Sequence, residues 1–339
     1  MSSYNVAVVG ATGAVGEALI EILEQREFPV DQLFPLASER SAGTSLMYRN
    51  KRHIVGNLAE FDFNQAQIGL FSAGGSVSEQ YAPKAAEAGC VVIDNTSHFR
   101  YEDDIPLVVP EVNAAAIADY RDRNIIANPN CSTIQMVVAL KPIYDIAGIK
   151  RISVATYQAV SGTGKSAIKE LAGQTAELLN GREAKWEVYP RQIAFNALPQ
   201  IDVFMDNGYT KEEMKMVWET RKIFADDSIE VSATCVRVPV FYGHSEAVQI
   251  ETREPLSAEA ARELLAAAPG ITVIDEHSDG KYPTAVHDSA GKDSVFVGRI
   301  RQDISFANGL NLWVVADNVR KGAALNSIQI AEELIKSYL

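Results

Sequence analysis

The stretch YNVAVVGATGAVG, residues 4–16, decides the fold of the first half of the chain. It begins as a short apolar run typical of a buried strand and continues with Gly10, Gly13 and Gly16 in a G-x-x-G-x-x-G spacing. Glycines between a strand and a helix permit a tight turn and a close approach of the backbone to a pyrophosphate. The stretch therefore predicts a dinucleotide-binding loop, with a tight α/β turn that binds no ligand as the alternative.

Strand-like and helix-like segments alternate after this loop. Apolar strand candidates lie at residues 33–38, 68–73, 90–94 and 124–129, and a helix-like segment at 77–89 separates two of them. Such alternation predicts β-α-β units and a parallel sheet covered on both faces.

The pattern changes after residue 131. Longer, mostly alternating strand candidates lie at residues 151–160, 229–241, 245–253, 294–303 and 309–318. Alternation favours a sheet with one solvated or helix-covered face. The fold class predicted is α/β, with an N-terminal Rossmann-type parallel sheet and a second, α+β domain built on a mixed sheet.

Composition excludes several classes of partner. The 339 residues include 44 acidic and 31 basic ones, for a net charge of −13. This charge disfavours nucleic acid and anionic membranes, and no apolar run approaches the roughly 18 residues of a membrane span. Three scattered cysteines predict neither a disulfide framework nor a metal site, and with no signal sequence at the N-terminus they favour the cytoplasm.

The end of the second strand bears on the choice of cofactor. That position is occupied by Ser38, Glu39, Arg40 and Ser41. An acidic residue there suits the ribose of NAD, whereas an arginine suits the 2′-phosphate of NADP. Both signs are present, so spacing leaves the choice open. Arg40 between two serine hydroxyls favours NADP.

A second glycine-rich stretch, residues 159–166 (AVSGTGKS), nearly matches the phosphate loop of nucleoside triphosphatases. Its first glycine is replaced by Ala159, and no acidic strand end stands out as a magnesium partner. We expect a turn whose backbone contacts part of the dinucleotide instead.

NPNCST, residues 128–133, places Cys131 where a helix begins. A helix N-terminus stabilises a thiolate, and Asn130 is a good capping residue. A free cysteine is usually a small buried hydrophobic residue, and this interpretation fits Cys90 and Cys235 inside apolar strands. The polar turn around Cys131 favours a nucleophile.

A thiolate nucleophile usually needs a base, and His244 lies at a sharp corner suited to chemistry. Arg237, seven residues earlier, would bind a carboxylate with its planar fork, although a structural ion pair is the commoner role. In a straight strand the two would lie about 23 Å apart on opposite faces, so only a bend near Pro239 and Gly243 unites them.

GATGAVG, NPNCST, YQAVSGTGK (157–165) and RVPVFYGHSEAV (237–248) together resemble the aspartate-β-semialdehyde dehydrogenase family, in its bacterial form, across essentially the whole chain. The resemblance implies reversible, NADPH-dependent reduction of L-aspartyl-4-phosphate to L-aspartate 4-semialdehyde with release of phosphate. It places the reaction in lysine, threonine, methionine and diaminopimelate biosynthesis, and implies a homodimer or a dimer of dimers. Residues 1–130 would form the NADP-binding domain, with a C-terminal helix at about 319–339 packing back on it, and residues 131–318 the catalytic and dimerisation domain.

The resemblance also assigns roles to individual residues. Cys131 would carry the acyl-thioester, His244 act as general acid/base and Gln158 orient the reacting group. The substrate-binding residues implied are Arg237 for the carboxylate, Glu212 for the amine, Arg100 and Lys215 for phosphate, and Asn130. The cofactor-binding residues implied or predicted are Gly10, Thr12, Gly13, Ala14, Val15, Ser38, Arg40, Ser41, Ser161, Gly162 and Asn318.

Two other functions stay open. N-acyl-γ-glutamyl-phosphate reductase performs the same chemistry on a longer, acylated substrate, but its cysteine typically follows Pro-Gly, whereas Pro-Asn precedes Cys131 here. A non-catalytic dinucleotide sensor is the alternative from a different class, because Rossmann domains can bind without turnover.

Overall fold

The computed structural model of the chain describes residues 3–339. The chain divides into two compact units, which we call unit 1 (Met1–Asn130 with Ala323–Leu339) and unit 2 (Cys131–Gly322). Each has its own sheet. Within residues 3–339, none of the helices combines the length and the apolar composition needed to cross a bilayer.

Unit 1 is built on a parallel sheet. Its strands are β1 (Tyr4–Val9), β2 (Val30–Ala37), β3 (Ser45–Tyr48), β4 (Lys51–Ile54), β5 (Gly56–Asn57), β6 (Ile68–Phe71), β7 (Val91–Asp94) and β8 (Ile125–Ala127). Six of them follow the order β5-β2-β1-β6-β7-β8 with every neighbouring pair parallel, while β3 and β4 form a separate antiparallel hairpin. This sheet confirms the predicted Rossmann-type architecture.

Unit 2 is built on a mixed sheet. Its strands are β9 (Ile149–Gln158), β10 (Glu230–Arg237), β11 (His244–Thr252), β12 (Ile271–Val273), β13 (Val295–Gln302) and β14 (Gly309–Ala316). The order is β10-β9-β11-β14-β13-β12, with parallel pairs at the two edges and antiparallel pairs between them. The mixed sheet confirms the fold class predicted for the second half of the chain.

The helices complete both units. The α-helices are α1 (Ala14–Gln25), α2 (Gly75–Glu87), α3 (Pro110–Asn113), α4 (Cys131–Ala147), α5 (Lys165–Leu179), α6 (Lys211–Phe224), α7 (Ala258–Ala267) and α8 (Leu325–Ser337). Short 3-10 or π segments lie at Leu58–Glu60, Phe63–Gln65, Ala114–Asp122, Val160–Thr163, Ala285–Ser289 and Arg320–Ala324.

Close packing of α1 against the first turn explains the glycines of unit 1. A Cβ on Gly16 would lie 2.1 Å from the carbonyl oxygen of Gly10, so only glycine fits there. The apolar face of α1 enters the same core cluster as β1, and Ile328 and Leu334 of α8 lie in that cluster too. The C-terminal helix is therefore part of the core of unit 1.

Helix α4 is the buried centre of unit 2. Its residues 132–140 are all buried, and it contacts the sheet through β11 and β14 and the neighbouring helices α6 and α7. Along β11 the even-numbered residues are buried and the odd-numbered ones from Ala247 onward are half-buried. Residues of β11 on the buried face therefore lie in a dry, apolar layer.

Glu246 is fully buried on β11, and the polar side chains of His244 and Thr252 are buried on the same face. Neither of its carboxylate oxygens has a hydrogen-bond partner within the part of the chain that the structure describes. Burial raises the pKa of Glu246 well above its ordinary value, and the nearby amide of Gln135 opposes the shift only in part. An ionised carboxylate without partners is costly in a dry interior, so burial favours the neutral acid form of Glu246.

We predict that Glu246→Gln stabilises the protein increasingly as pH rises. The unfolded wild-type chain releases this proton above about pH 4.3, whereas the folded chain keeps it, so wild-type stability falls with pH in this window. Glutamine has the same shape and no proton to lose. The difference in free energy of unfolding should grow as pH rises above about 4.3, with a slope of at most about 1.4 kcal/mol per pH unit, measured by urea unfolding. Glu254→Gln, at an exposed site, is the matched control; a difference independent of pH would show that Glu246 is ionised in the folded protein.

Candidate active site

The glycine loop of unit 1 lines a cavity of about 510 Å³. The cavity lies at the carboxyl ends of β1, β2 and β6, where the strand order changes direction, which is where such sheets bind ligands. Gly10 has φ +88°, and a Cβ there would lie 3.0 Å from the backbone of Ala73. This loop can thus approach a pyrophosphate closely.

Most of the predicted cofactor residues of unit 1 meet at this cavity. Its lining includes Gly10, Thr12, Gly13, Ser38, Arg40 and Ser41. Ala14 and Val15 do not line it, because they are the first residues of α1. Glu39, Asn57 and Tyr81 also line it, and the last two were not found from the sequence because no loop motif marks them.

Arg100 of unit 1 is buried and rigidly held. Its Nε donates to the carbonyl of Asn128 at 2.9 Å, and its Nη2 donates to that of Asn95 at 2.8 Å. The side chain of Asn128 in turn bonds to Asn95 at 3.1 Å and accepts from Asn326 of α8 at 2.7 Å. This network fixes a guanidinium near Asn130, the last residue of unit 1.

Cys131 begins α4 and is half-buried. A Cβ on Gly322 would lie 2.8 Å from the Cβ of Cys131, so glycine is required there for the two to pack. This contact could not be predicted from the sequence, because 191 positions separate the two residues along the chain. One turn further along α4, Gln135 donates from Nε2 to the carbonyl of His244 at 3.4 Å. The helix that carries the thiol is thereby tied to the start of β11.

Arg237 and His244 flank the end of β9. The strand β10 ends at Arg237, whereas the sequence predicted that it would continue to residue 241. Residues 238–243 then cross the end of β9, where Gln158 pairs with Arg237, and β11 begins at His244 on the other side. Strands two apart lie roughly 10 Å from each other, so this crossing replaces the 23 Å separation of a straight strand.

Arg237 is almost fully buried, and its guanidinium is only partly satisfied. Its Nη1 donates to the carbonyl of Ala159 at 2.7 Å, while Nε has no partner within residues 3–339. Buried donors are normally paired, so this N–H suits an acceptor from a bound ligand.

His244 is fully buried beside this arginine. Its Nδ1 accepts a hydrogen bond from the N–H of Ala159 at 3.0 Å, so the neutral ring carries its proton on Nε2. Nε2 has no partner among the described residues. Burial, and then the charge of Arg237, lowers the pKa of His244 to about 3, against the opposing effect of Glu212. At neutral pH the ring is therefore an uncharged hydrogen-bond donor.

Glu212 and Lys215 of α6 belong to the same unit. Glu212 is buried, accepts from Nε2 of Gln158 at 3.2 Å, and accepts from Nζ of Lys215 at 2.9 Å. Lys215 also donates to Asp202 at 2.9 Å. Burial would lower the pKa of Lys215, but Glu212 and Asp202 reverse the effect and raise it. Glu212 and Lys215 therefore form a largely buried ion pair and not a solvated pair on the surface of α6. Asp202 is a further partner of Lys215 that was not found from the sequence.

The glycine-rich stretch after β9 does not form a nucleotide-triphosphate loop. The N–H groups of Ala159, Val160 and Ser161 already donate to His244, Val240 and Phe241. They therefore cannot form a phosphate cradle. Instead Asn318 donates to Ser161 at 2.9 Å and accepts from the N–H of Gly243 at 2.9 Å.

Gly162 in the same stretch lies close to both buried side chains. A Cβ there would lie 3.3 Å from Nη1 of Arg237 and 3.5 Å from Nε2 of His244. The predicted site residues are divided between the two units. Arg100, Asn130 and the N-terminal glycine loop belong to unit 1. The residues that belong to unit 2 are Cys131, Gln158, Ser161, Gly162, Glu212, Lys215, Arg237, His244 and Asn318.

Comparison with known proteins identifies the class. The family model for the NAD-binding domain of semialdehyde dehydrogenases matches residues 5–120, and that for their dimerisation domain matches residues 140–321. A parallel dinucleotide-binding sheet joined to a mixed dimerisation sheet defines the class of semialdehyde dehydrogenases.

Individual relatives identify the family. The aspartate-semialdehyde dehydrogenase of Shewanella violacea is 66% identical over 335 residues, 99% of this chain and 98% of that protein. The crystal structure of aspartate semialdehyde dehydrogenase II from Vibrio cholerae in complex with ASA superposes with a TM-score of 0.98 at 63% identity, over 100% of both chains. The Candida albicans enzyme with NADP is 27% identical with a TM-score of 0.78, over 98% of this chain and 99% of that one.

The chain belongs to the aspartate-semialdehyde dehydrogenase family, which confirms the resemblance seen in the sequence. These relatives support an oxidoreductase of amino-acid biosynthesis with aspartate-semialdehyde dehydrogenase activity. A dinucleotide-binding domain and a dimerisation domain are both present.

Proposed function

We propose that the chain catalyses the reversible, NADPH-dependent conversion of L-aspartyl-4-phosphate to L-aspartate 4-semialdehyde through an acyl-thioester on Cys131. The reaction belongs to the biosynthesis of lysine, threonine, methionine and diaminopimelate. The complex of the Vibrio cholerae relative with ASA supports the substrate class. A cytoplasmic location stays a prediction from the sequence.

The observation that carries the proposal is the pair of unsatisfied buried donors in unit 2. Nε of Arg237 and Nε2 of His244 both lack partners in the described chain, and Gly162 lies against both side chains. A substrate carboxylate would satisfy the arginine, whose fork binds two oxygens. The oxygen of the reacting carbonyl would satisfy the histidine.

Glu212 completes the recognition of an α-amino acid. It is a buried carboxylate whose known partners are the amide of Gln158 and the ammonium of Lys215. A substrate ammonium would gain a charge-assisted hydrogen bond there. An acylated amine has no positive charge to offer, so Glu212 favours aspartyl phosphate over N-acyl-γ-glutamyl phosphate.

Phosphate binding needs local positive charge in a chain of net charge −13. We assign Arg100 and Lys215 to it, with Asn130 as a further substrate contact. Two of the three N–H bonds of Lys215 are directed to Glu212 and Asp202, which leaves one for a phosphate oxygen. Both cations are held by neighbouring groups before substrate binds, which reduces the entropy lost on binding.

The chemistry uses Cys131 as the covalent carrier. Its thiolate attacks the acyl carbon of aspartyl phosphate, an S–C bond forms, and the C–O bond to phosphate breaks. NADPH, when bound, supplies the hydride that reduces the acyl group. Nε2–H of His244 hydrogen-bonds to the substrate oxygen that gains charge, while Gln158 orients the reacting group. When the C–S bond breaks, the aldehyde leaves and Cys131 is restored.

His244 is placed as a donor for this sequence. To act as a base at Nε2 it must first lose that proton, and protonation of Nδ1 would break the bond from the N–H of Ala159. We therefore assign hydrogen-bond donation from Nε2 to the ring in the arrangement seen here. Full transfer of that proton would leave an imidazolate unless Nδ1 gained a proton in exchange, so general acid/base catalysis by His244 requires a rearrangement at Ala159.

The experiment that tests the function compares substrates and a nucleophile variant. Wild type should oxidise NADPH with aspartyl phosphate and not with N-acetyl-γ-glutamyl phosphate. Without NADPH, mass spectrometry should detect protein acylated at Cys131. Cys131→Ala should lose turnover and acylation while still binding NADPH, because only the nucleophile is removed.

The matched control is Cys90→Ala, at a buried thiol of unit 1, which should keep turnover. Appreciable turnover in Cys131→Ala would refute the covalent route. NADPH binding without turnover of either acyl phosphate by wild type would instead indicate a sensor.

For the cofactor, we propose NADP bound at the unit 1 cavity, with Ser38, Arg40 and Ser41 around the 2′-phosphate. The Candida albicans relative with NADP supports this preference. Arg40→Ala should raise KM for NADPH about 10- to 100-fold, the worth of a hydrogen bond between charged groups, and leave KM for NADH nearly unchanged. Arg52→Ala, on the exposed strand β4, is the control; an unchanged NADPH/NADH ratio in Arg40→Ala would exclude this role.

We further propose that unit 2 forms a homodimer, which can assemble further into a dimer of dimers. One face of the mixed sheet presents half-buried or exposed residues from three strands, among them Ala155, Tyr157, Gln249 and Asn311. These three strands are antiparallel neighbours, and an antiparallel set with such a face suits a symmetric contact. Ala155→Arg should shift the sedimentation coefficient towards the monomer, whereas Met47→Arg on the exposed hairpin of unit 1 should not; a dimer that persists in Ala155→Arg would place the contact elsewhere.

A further inference from the structure

We infer that Tyr189 is a positioning residue that holds Arg237 in its carboxylate-binding orientation and ties it to the turn at Val160–Thr163. The inference rests on the proposed role of Arg237. Nothing in the sequence marked Tyr189, which lies in an irregular segment between α5 and α6.

Tyr189 contacts both partners directly. Only 9% of Tyr189 is exposed, and the guanidinium carbon of Arg237 lies 6.0 Å from the centroid of its ring. Its hydroxyl donates to Oγ1 of Thr163 at 3.1 Å. Because the carbonyl of Ala159 accepts from Nη1 of Arg237, the guanidinium is held by a carbonyl as well as by an aromatic ring.

The irregular segment around Tyr189 is fixed by two residues of α5. The carboxylate of Glu170 accepts from the N–H groups of residues 187, 188 and 189, at 2.7, 2.6 and 3.2 Å. One turn later, Gln174 accepts from the N–H groups of residues 193 and 194, both at 3.0 Å, and donates to the carbonyl of residue 185 at 2.9 Å. A segment without regular structure is thus held by six hydrogen bonds, and Tyr189 stands at its centre.

The tie to Thr163 links Arg237 to the proposed cofactor residues of unit 2. Thr163 ends the turn that contains Ser161 and Gly162, and Gly162 lies against Nη1 of Arg237. A change in the position of the turn would therefore move the groups around the guanidinium. Burial raises the pKa of the Tyr189 hydroxyl, with Arg237 opposing, so the hydroxyl stays a donor at neutral pH.

A ring that faces a buried guanidinium stabilises the cation whether or not substrate is bound. Its loss should therefore weaken carboxylate binding in the ground state and the transition state alike, which raises KM and leaves kcat unchanged. A residue that served stability alone would alter the unfolding midpoint without this split between KM and kcat.

The test uses aspartate semialdehyde, phosphate and NADP as substrates. Tyr189→Leu should raise KM for the semialdehyde roughly tenfold, the effect of a partly buried cation–π contact, with kcat and the Kd for NADP near wild type. Tyr189→Phe and Thr163→Val remove the same hydrogen bond from its two ends. They should each raise KM by about the same factor, and the double variant should be no worse than either, because the bond can be lost only once.

Tyr144→Phe is the matched control, since it removes a hydroxyl bond to Asp226 elsewhere in unit 2. It should leave KM unchanged. If Tyr189→Leu fails to fold, the two conservative variants still decide the question. If the factors by which Tyr189→Phe and Thr163→Val raise KM multiply in the double variant, the proposed role of their shared hydrogen bond is refuted. A wild-type KM in folded Tyr189→Leu would refute the role of Tyr189 in orienting Arg237.

Arg237→Lys separates this inference from the proposed function. If Arg237 binds the carboxylate, Arg237→Lys alone raises KM for the semialdehyde, and adding Tyr189→Leu raises it little more. If Arg237→Lys has a wild-type KM, the proposed carboxylate site is wrong. In a third outcome, Arg237→Lys raises KM, and adding Tyr189→Leu raises it further by the same factor that Tyr189→Leu has alone. That outcome would support the carboxylate site and refute the positioning role of Tyr189.

Discussion

The backbone of Ala159 holds two buried side chains of the proposed site, those of Arg237 and His244. Its N–H donates to Nδ1 of His244, and its carbonyl accepts from Nη1 of Arg237. Ala159 follows the last residue of β9, and strands on either side of β9 end or begin with these two residues. One backbone unit thereby sets the tautomer of the histidine and the orientation of the arginine. The rest of the proposed site depends on the position of the Ala159 backbone.

The backbone of Ala159 is held in position by neighbouring main-chain hydrogen bonds, which do not depend on the identity of any side chain. The N–H groups of Val160 and Ser161 donate to the carbonyls of Val240 and Phe241, so the turn after β9 and the crossing from β10 to β11 are bonded to each other. The same bonds prevent the stretch from acting as a nucleotide-triphosphate loop. A glycine-rich motif read from letters alone cannot show that its donors are already used, and this explains why the resemblance to such a loop is misleading.

The sequence allowed the fold to be predicted and candidate site residues to be proposed, but it did not show the surroundings of those residues. Strand and helix periodicity follows from burial on one or both faces, so most strands of the two sheets and the helix at 77–89 were predicted within a few residues. The hairpin β3–β4 and the short strand β12 were missed because brief, partly exposed strands leave little periodicity. Arg237 and His244 were recognised as a pair, yet the crossing that unites them depends on the order β10-β9-β11, which no local pattern encodes. Asp202, Gly322 and Tyr189 were missed for a related reason, since each matters only through a neighbour distant in sequence.

Burial also sorts the three thiols of the chain. Cys90 and Cys235 are fully buried, and desolvation raises the pKa of Cys90 to about 12 and that of Cys235 further still, where the charge of Glu212 adds to the effect. Neither can supply a thiolate at neutral pH, because the charged form would lie in an apolar strand without compensation. Cys131 differs in its location, half-buried at the first position of a 17-residue helix whose N-terminus favours negative charge. The same physical rule, that burial without a partner suppresses ionisation, raises the pKa of Glu246 and lowers that of His244. Among the buried groups of unit 2, Glu212 is charged beside Lys215, and Arg237 bonds to the carbonyl of Ala159 while its Nε has no partner within residues 3–339.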